Sequence, residues 1–397
     1  AKLEDAISKQ QPGECCGLIY TSGTTGDPKA VMISHDNILF ESRTVCNMLG
    51  DAIDRPGETR ILSYLPLSHV AGLMVDIICP TVITALYDTH CECYFARPYD
   101  LKLGSLGDRL RAVRPTLFLG VPRVWEKISE KMKALGAKTK GIKKKIATFA
   151  KNKGLTHQTN CQLGGSGVRP PGHAIADKLV LSKIKAALGL DECRFGFTGA
   201  APIQKETLEY FGALGIQINE VYGMSECTGA TTWSLDEAHV WGSCGWTMPG
   251  TEVAVFPIES KEPCPASADI FNPKPEEEGE ICFRGRHIMM GYLANPDLGE
   301  EHVALIRKKT AAAIDPQGWL HSGDKGCIGT NGMVKITGRF KELIIGAGGE
   351  NIAPVPIEDA VKKAHPGIAN IMMVGDKRKF NVALVTLKAE GATGDAP

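Results

Sequence analysis

Apolar runs of β type alternate with helical patterns through the first part of the chain, and that alternation leaves few architectures open. Strands are expected at 116–121 (TLFLGV), 194–198 (RFGFT) and 216–222 (IQINEVY), and helices at 122–134, 174–188 and 203–214. The pattern predicts an α/β fold with a mainly parallel sheet flanked by helices. Two shorter apolar runs, 15–20 (CCGLIY) and 29–33 (KAVMI), precede it. A helix is expected to start at Ser34 or Asp36, capped by one of them, with Ile38, Leu39, Val45, Met48 and Leu49 on its apolar side. After about residue 250 the texture changes. The Pro-, Glu- and Ser-rich stretch 257–278 reads as a surface loop, and strands at 279–284, 333–337 and 343–346 form a small, mostly antiparallel layer. A helix near 356–364 and strands at 370–374 and 382–387 then read as the start of a smaller α+β domain, too small to stand alone. The expected division is 1–338 and 339–397.

A chain of 397 residues holds two to four domains at roughly 100–200 residues each. Basic and acidic residues balance at 45 each, so no general affinity of the whole molecule for nucleic acid or an anionic surface is expected. One local exception is 127–153, where ten lysines face a single acid, Glu130. That run reads as a solvated helix face or as contact with a membrane surface or polyanionic cofactor, the first being the commoner case. The thirteen cysteines are scattered and lack a C-x-x-C pair. Their nearest approach to a metal cluster is His90, Cys91 and Cys93, and reduced cytosolic thiols are the expectation. The longest apolar stretch, Val70 to Tyr87, is broken by Asp76, Pro80 and two threonines, which suits a buried element better than a membrane span.

Between the two early apolar runs lies the most informative string, YTSGTTGDPKAV at 20–31. Its glycines and the hydroxyls of Thr21, Ser22, Thr24 and Thr25 suit a loop that converges on phosphate oxygens, with Lys29 as a point charge. It is not a Walker A loop, because it joins two strand-like runs and Pro28 precedes Lys29.

This string resembles the phosphate loop of the adenylate-forming, AMP-binding acyl-CoA synthetases, and the resemblance recurs in order along nearly the whole chain. It implies ATP contacts from Thr21, Ser22, Gly23, Thr25 and Gly26, with Thr24 and Lys29 in catalysis. LPLSHVAG (65–72) is similar to the segment whose histidine, here His69, lies near the acyl pocket. TGAAPI (198–203) resembles the turn that receives adenine, with Gly199, Ala200 and Ala201 leaving room for a flat ring. YGMSECTG (222–229) implies Tyr222 stacked on adenine beside Gly223, Ser225 near the phosphate, and Glu226 holding Mg2+. GWLHSGDKG (318–326) implies Asp324 on the ribose hydroxyls. TGRFKELI (337–344) implies Arg339 as a second ribose contact and Lys341 as the interdomain hinge.

Within the family, VPRVWEKI (121–128) resembles the gate of long-chain fatty acyl-CoA synthetases, where Trp125 would plug an apolar tunnel. A plain aromatic anchor at a helix start is the alternative. KELIIGAGGENIAPVPIEDAV (341–361) and MMVGDKRKFNVALVTLK (372–388) look closest to the bubblegum-type group, which also suits Ile345 four residues after the hinge lysine. The resemblance implies a long-chain fatty acid–CoA ligase using ATP, Mg2+ and CoA, with Gly348 and Gly349 lining the CoA channel. It implies small-molecule partners, no nucleic acid, and a cytoplasmic location with peripheral contact at the endoplasmic reticulum or another organelle membrane. The alternatives are a non-catalytic nucleotide or acyl binder and a ligase for a different acid. Family members carry a substantial region before the phosphate loop and a G-x-x-x-K-type segment near the C-terminus, neither of which is found in this sequence. A partial sequence is the expected reason; if these residues are the whole polypeptide, adenylation is expected to be weak or absent.

Overall fold

A computed structural model describes residues 2–21, 28–53, 58–87, 89–258, 260, 262–340, 344–345, 351–352, 354–365, 367–376, 378 and 380–388. Compactness divides the chain into two units, Ala1–Val253 with Phe283–Leu320, and Ala254–Cys282 with His321–Pro397.

The first unit opens on a hairpin. β1 (Cys15–Thr21) and β2 (Lys29–Ser34) pair antiparallel, with Thr21 opposite Lys29. The two early apolar runs are therefore strands joined by the phosphate-loop string. α1 (His35–Leu49) follows at once, and Ser34 rather than Asp36 caps it. The Ser34 hydroxyl accepts from the Asn37 N–H at 3.1 Å, and Asn37 Oδ1 accepts from the Ser34 N–H at 2.8 Å. Leu39, expected on the apolar side, is 54% exposed, whereas Asn37, Glu41, Ser42 and Thr44 are buried. The reason is what the helix meets: Asn37 Nδ2 donates to the carbonyls of Arg286 and Ile288, and Glu41 accepts from the Ala230 N–H. This face packs on backbone, which polar side chains serve, and Leu39 lies about 200° round the helix from it.

A seven-stranded sheet forms the centre of this unit. Its strands are β3 (Glu58–Ser63), β4 (His90–Phe95), β5 (Leu117–Leu119), β6 (Phe195–Thr198), β7 (Ile218–Met224), β8 (Gly229–Trp233) and β9 (Trp246–Thr247), in the order 4-3-5-6-7-8-9. The first five in that order are parallel; β8 and β9 add antiparallel. Strand periodicity sorts the core into two layers. Ile61, Leu117, Phe195 and Phe197 pack with Val45, Cys46 and Leu49 of α1. Leu62 and Phe118 pack on the other face with helices α2 (Pro122–Ala137) and α4 (Lys205–Ala213), through Trp125, Leu208 and Phe211. Helix α3 (Gly141–Cys161) lies between α2 and α4 in sequence and runs on from the turn after α2. The helix expected at 174–188 is present in three pieces, with a wider π-type turn at Asp177–Leu181. Val70 to Leu86 is helical, and its Asp76 is buried and accepts from the Ser63 hydroxyl at 2.7 Å. Among the described residues no helix is long and apolar enough to cross a membrane.

β12 (Gly291–Tyr292) pairs antiparallel with β2, completing a three-stranded sheet β1-β2-β12, and α5 (Glu300–Ala313) follows. The second unit is built on a four-stranded sheet ordered β10 (Thr251–Phe256), β11 (Gly279–Gly285), β13 (Leu320–Ile328), β14 (Val334–Arg339). β10 and β13 were not anticipated; in β13, Gly323 and Gly326 give the sequence the texture of a turn. After the short strands β15 (Ile344–Ile345) and β16 (Asn351–Ile352) come α6 (Pro354–Ala364) and a hairpin of β17 (Ile368–Val374) and β18 (Val382–Leu387), close to the expected ranges.

Candidate active site

Four of the segments singled out from sequence leave the carboxyl ends of adjacent parallel strands. His69 follows β3, Trp125 follows β5, Gly199 to Ala201 follow β6, and Tyr222 to Glu226 end β7. In open α/β sheets this edge is where ligands bind, because the loops there diverge and leave a crevice. No periodicity could show that these strands are neighbours. The order 3-5-6-7 brings them together.

The YGMSECTG segment is held with unusual closeness. Tyr222 is buried and meets Phe283 edge-on, with ring centroids 5.3 Å apart. A Cβ on Gly223 would sit 1.8 Å from the Gly229 carbonyl oxygen, so only glycine lets β7 and β8 approach at this point. Ser225 to Cys227 make one 3-10 turn, and Thr228, fully buried, closes it in the left-handed region at φ 61°. Its hydroxyl donates to the His287 carbonyl at 2.7 Å, and the Met289 N–H donates to the Glu226 carbonyl at 2.9 Å. Ala200 is the second strained residue at this edge, with φ 69° and an exposed side chain.

Glu226 is buried, and its Oε1 accepts from the Tyr292 hydroxyl at 2.9 Å. Burial, with the carboxylate beside it, pushes the Tyr292 phenol far above its ordinary range, so it remains a donor at every physiological pH. The same ring carries Lys29, whose Nζ lies 4.7 Å from the centroid. Tyr292 therefore links the lysine of β2 to the carboxylate after β7. It was not foreseen, since a two-residue strand in GYLANP carries no periodic signal.

His69 is exposed and caps the turn Val70–Gly72, its Nδ1 accepting from the Ala71 N–H at 3.2 Å. Trp125 is fully buried in the first turn of α2, and its Nε1 donates to the Phe197 carbonyl at 3.4 Å. In the second unit Asp324 and Arg339 face each other across β13 and β14, with Nε 2.9 Å from Oδ1. Of the remaining expected residues, Thr21 ends β1. Ser22, Gly23, Thr24, Thr25, Gly26, Lys341, Gly348 and Gly349 lie outside the described residues.

Two features bear on metal binding. His90 lies with Glu58 and Glu92 and not with Cys91 and Cys93, which point to the other face of β4 by strand alternation. Burial pushes those thiols up, to about 12 for Cys91 and about 11 for Cys93, which disfavours the thiolate a metal would need. At Glu226 the donor set suits a hard cation that takes one protein carboxylate and fills the rest of its shell with phosphate oxygens and water. The Tyr292 hydroxyl orients one carboxylate oxygen and leaves the other to such an ion.

Beneath this turn Glu41 is buried, accepting from the Ala230 N–H at 2.8 Å, while its Oε2 has no hydrogen-bond partner among the described residues. Burial pushes its carboxyl from 4.5 up to about 8. The native state thus keeps a proton that the unfolded chain has released, and stability falls as pH rises from about 4.5 to about 8. Glu41→Gln keeps an acceptor for Ala230 and removes the charge. It is expected to stabilise the protein by roughly 2–4 kcal/mol at pH 8 and by little at pH 4. Denaturant titrations at the two pH values check this; an equal effect at both would mean Glu41 is already ionised when folded.

The sequence matches the AMP-binding enzyme family over residues 2–293 and the AMP-binding enzyme C-terminal domain over residues 341–396. Among curated relatives, the long-chain-fatty-acid–CoA ligase ACSBG2 of Gallus gallus is 48% identical over 391 residues, covering 98% of this chain and 46% of the relative. ACSBG1 of Homo sapiens is 42% identical over 389 residues, covering 97% and 48%. The chain spans about half the length of the curated relatives it matches. Among solved structures, ATP-bound MatB from Rhodopseudomonas palustris superposes with a TM-score of 0.65 at 24% identity, covering 99% of this chain and 63% of that one. O-succinylbenzoate CoA synthetase from Bacillus subtilis, in complex with ATP and magnesium ion, gives 0.61 at 22%, covering 96% and 64%.

Proposed function

Because the chain belongs to the family of AMP-binding enzymes, we propose that it carries the adenylating centre of a long-chain fatty acid–CoA ligase of the bubblegum type. The observation that carries the reading is the Lys29–Tyr292–Glu226 arrangement at the carboxyl edge of the parallel sheet. It supports a site for a polyphosphate and one divalent cation.

The proposed reaction needs no general base. A fatty carboxylate is ionised at neutral pH, so its oxygen attacks the α-phosphorus of ATP while the bond to pyrophosphate breaks. The acyl-adenylate that forms is then attacked at its carbonyl by the CoA thiol, releasing AMP and leaving the thioester. What the protein must supply is alignment of two anions and a positive field where charge accumulates. Lys29 and the loop of Thr21, Ser22, Gly23, Thr24, Thr25 and Gly26 bear on the phosphates, and Ser225 offers a hydroxyl beside them. Mg2+, held by Glu226, would neutralise charge on the phosphate oxygens. Tyr222, Gly199, Ala200 and Ala201 receive the adenine. Asp324 takes the ribose hydroxyls, and Arg339, paired with it from the next strand, is the second ribose contact. Trp125 is the proposed gate of the acyl tunnel, and His69 is proposed to lie near the acyl pocket. Lys341 is the proposed hinge for the second half-reaction, with Gly348 and Gly349 along the CoA channel. A cytoplasmic location, with fatty acid drawn from an organelle membrane such as the endoplasmic reticulum, completes the reading.

The test is ATP–pyrophosphate exchange by the polypeptide that carries this sequence, with product masses read directly. Palmitate is expected to drive exchange, and adding CoA to convert the product to palmitoyl-CoA. Exchange driven by an aromatic acid or an amino acid but not by palmitate would overturn the substrate class. Tight nucleotide binding without product under any acid would favour a binding protein.

A further inference from the structure

The far end of α2, the turn after it and the first two turns of α3 project from the first unit: from Lys133 to Phe149 every residue is exposed except Thr139 and Ala147. Four large apolar side chains sit on this projection, Ile142 at 76% exposure, Leu135 at 56%, and Ile146 and Phe149 at 46% each. Residues 142, 146 and 149 are spaced i, i+4, i+7, so they form one stripe along α3. That stripe is not the face by which the helix joins the core. Ala150 and Gly154 are the buried residues of α3, and they lie roughly a quarter turn away. Lys143 and Lys145 flank the stripe on either side, Lys138 and Lys140 stand at the facing ends of α2 and α3, and no acid occurs between 131 and 153.

We propose that this helical tip docks on an anionic lipid bilayer. The stripe supplies an apolar face to enter the acyl boundary, and the flanking lysines reach the phosphate and carboxylate headgroups above it. Charge decides between this occupant and the others. A second copy meeting the patch about a twofold axis would set lysines against lysines. A soluble polyanion would engage the lysines and leave Ile142, Ile146 and Phe149 in water. The proposal deepens the membrane-drawn substrate proposed above by naming the surface and the lipid chemistry. Its readout needs neither nucleotide nor acid, so its failure leaves the exchange assay untouched.

The experiment is flotation of the full chain with phosphatidylcholine vesicles, plain or with about 30 mol% phosphatidylserine. Binding to the phosphatidylserine vesicles is expected, with little to plain vesicles. K143E/K145E is expected to weaken it at least about tenfold, and I142S/I146S by a similar factor of about ten, through lost apolar insertion. All four positions are exposed, and unchanged circular dichroism confirms the fold of each variant. Equal binding by wild type and both variants would overturn the proposal. So would a lipid-free dimer in sedimentation that I142S/I146S abolishes, since the stripe would then belong to a second copy.

Discussion

Trp125→Ala is expected to destabilise the first unit by roughly 3–5 kcal/mol, the range for emptying a large aromatic site in a well-packed core. The indole is fully buried and meets Phe118 and Phe211 edge-on, at centroid distances of 5.2 Å and 4.9 Å. Its shape is fitted from the backbone side as well. A Cβ at Gly120 would lie 2.4 Å from the indole Nε1, so a glycine precedes the helix to admit the ring. Trp125→Phe keeps most of the apolar contact but loses the N–H to Phe197, and about 1–2 kcal/mol is expected for it. Urea denaturation of the three proteins gives the comparison. A loss below about 1 kcal/mol for the alanine variant would mean that neighbouring side chains close the gap easily. The gate reading adds a second readout. If nucleotide moves Trp125 out of this socket, ATP should red-shift tryptophan emission in the wild type and much less in Trp125→Phe.

The second large effect is expected at Glu226. Glu226→Gln keeps the shape and removes the charge, and pyrophosphate exchange is expected to fall by about 100- to 1,000-fold. Tyr292→Phe removes only the hydroxyl that orients the carboxylate, and a fall of about tenfold is expected. The separating measurement is the Mg2+ dependence. Tyr292→Phe should need more Mg2+ for half-maximal exchange, whereas a purely structural role for the tyrosine would lower activity without moving that midpoint. In the double variant the tyrosine change should add little, because Tyr292 acts through the group already disabled. Additive losses would refute the coupling.

The parts of the fold that follow from short-range chemistry were legible in the sequence. Helices from Pro122 and Lys205, strands at Leu117, Phe195 and Ile218, and the hairpin around the Gly- and Thr-rich loop stand where periodicity and breaker residues put them. Leu39 shows the limit. It reads as core because it is apolar, but it is two residues from both Asn37 and Glu41 and so lies about 200° round the helix from the face that meets distant segments. β13 shows another. Its glycines and polar residues suggest a turn, yet β11 and β14 on either side supply the hydrogen bonds that make it a strand.

What the linear order of residues determined by itself is the inventory: a loop chemistry for phosphate, an aromatic and a carboxylate four residues apart in YGMSE, and a Trp two residues after Val-Pro-Arg begins a helix. Each depends on neighbours within a turn or a strand, so local chemistry sufficed. Only the tertiary structure decided that β3, β5, β6 and β7 lie side by side, that Tyr292 reaches Glu226 from 66 residues away, and that Glu41 is buried, which raises its carboxyl. Those facts depend on which surfaces exclude water together, and desolvation is a property of the packed whole that no single segment carries.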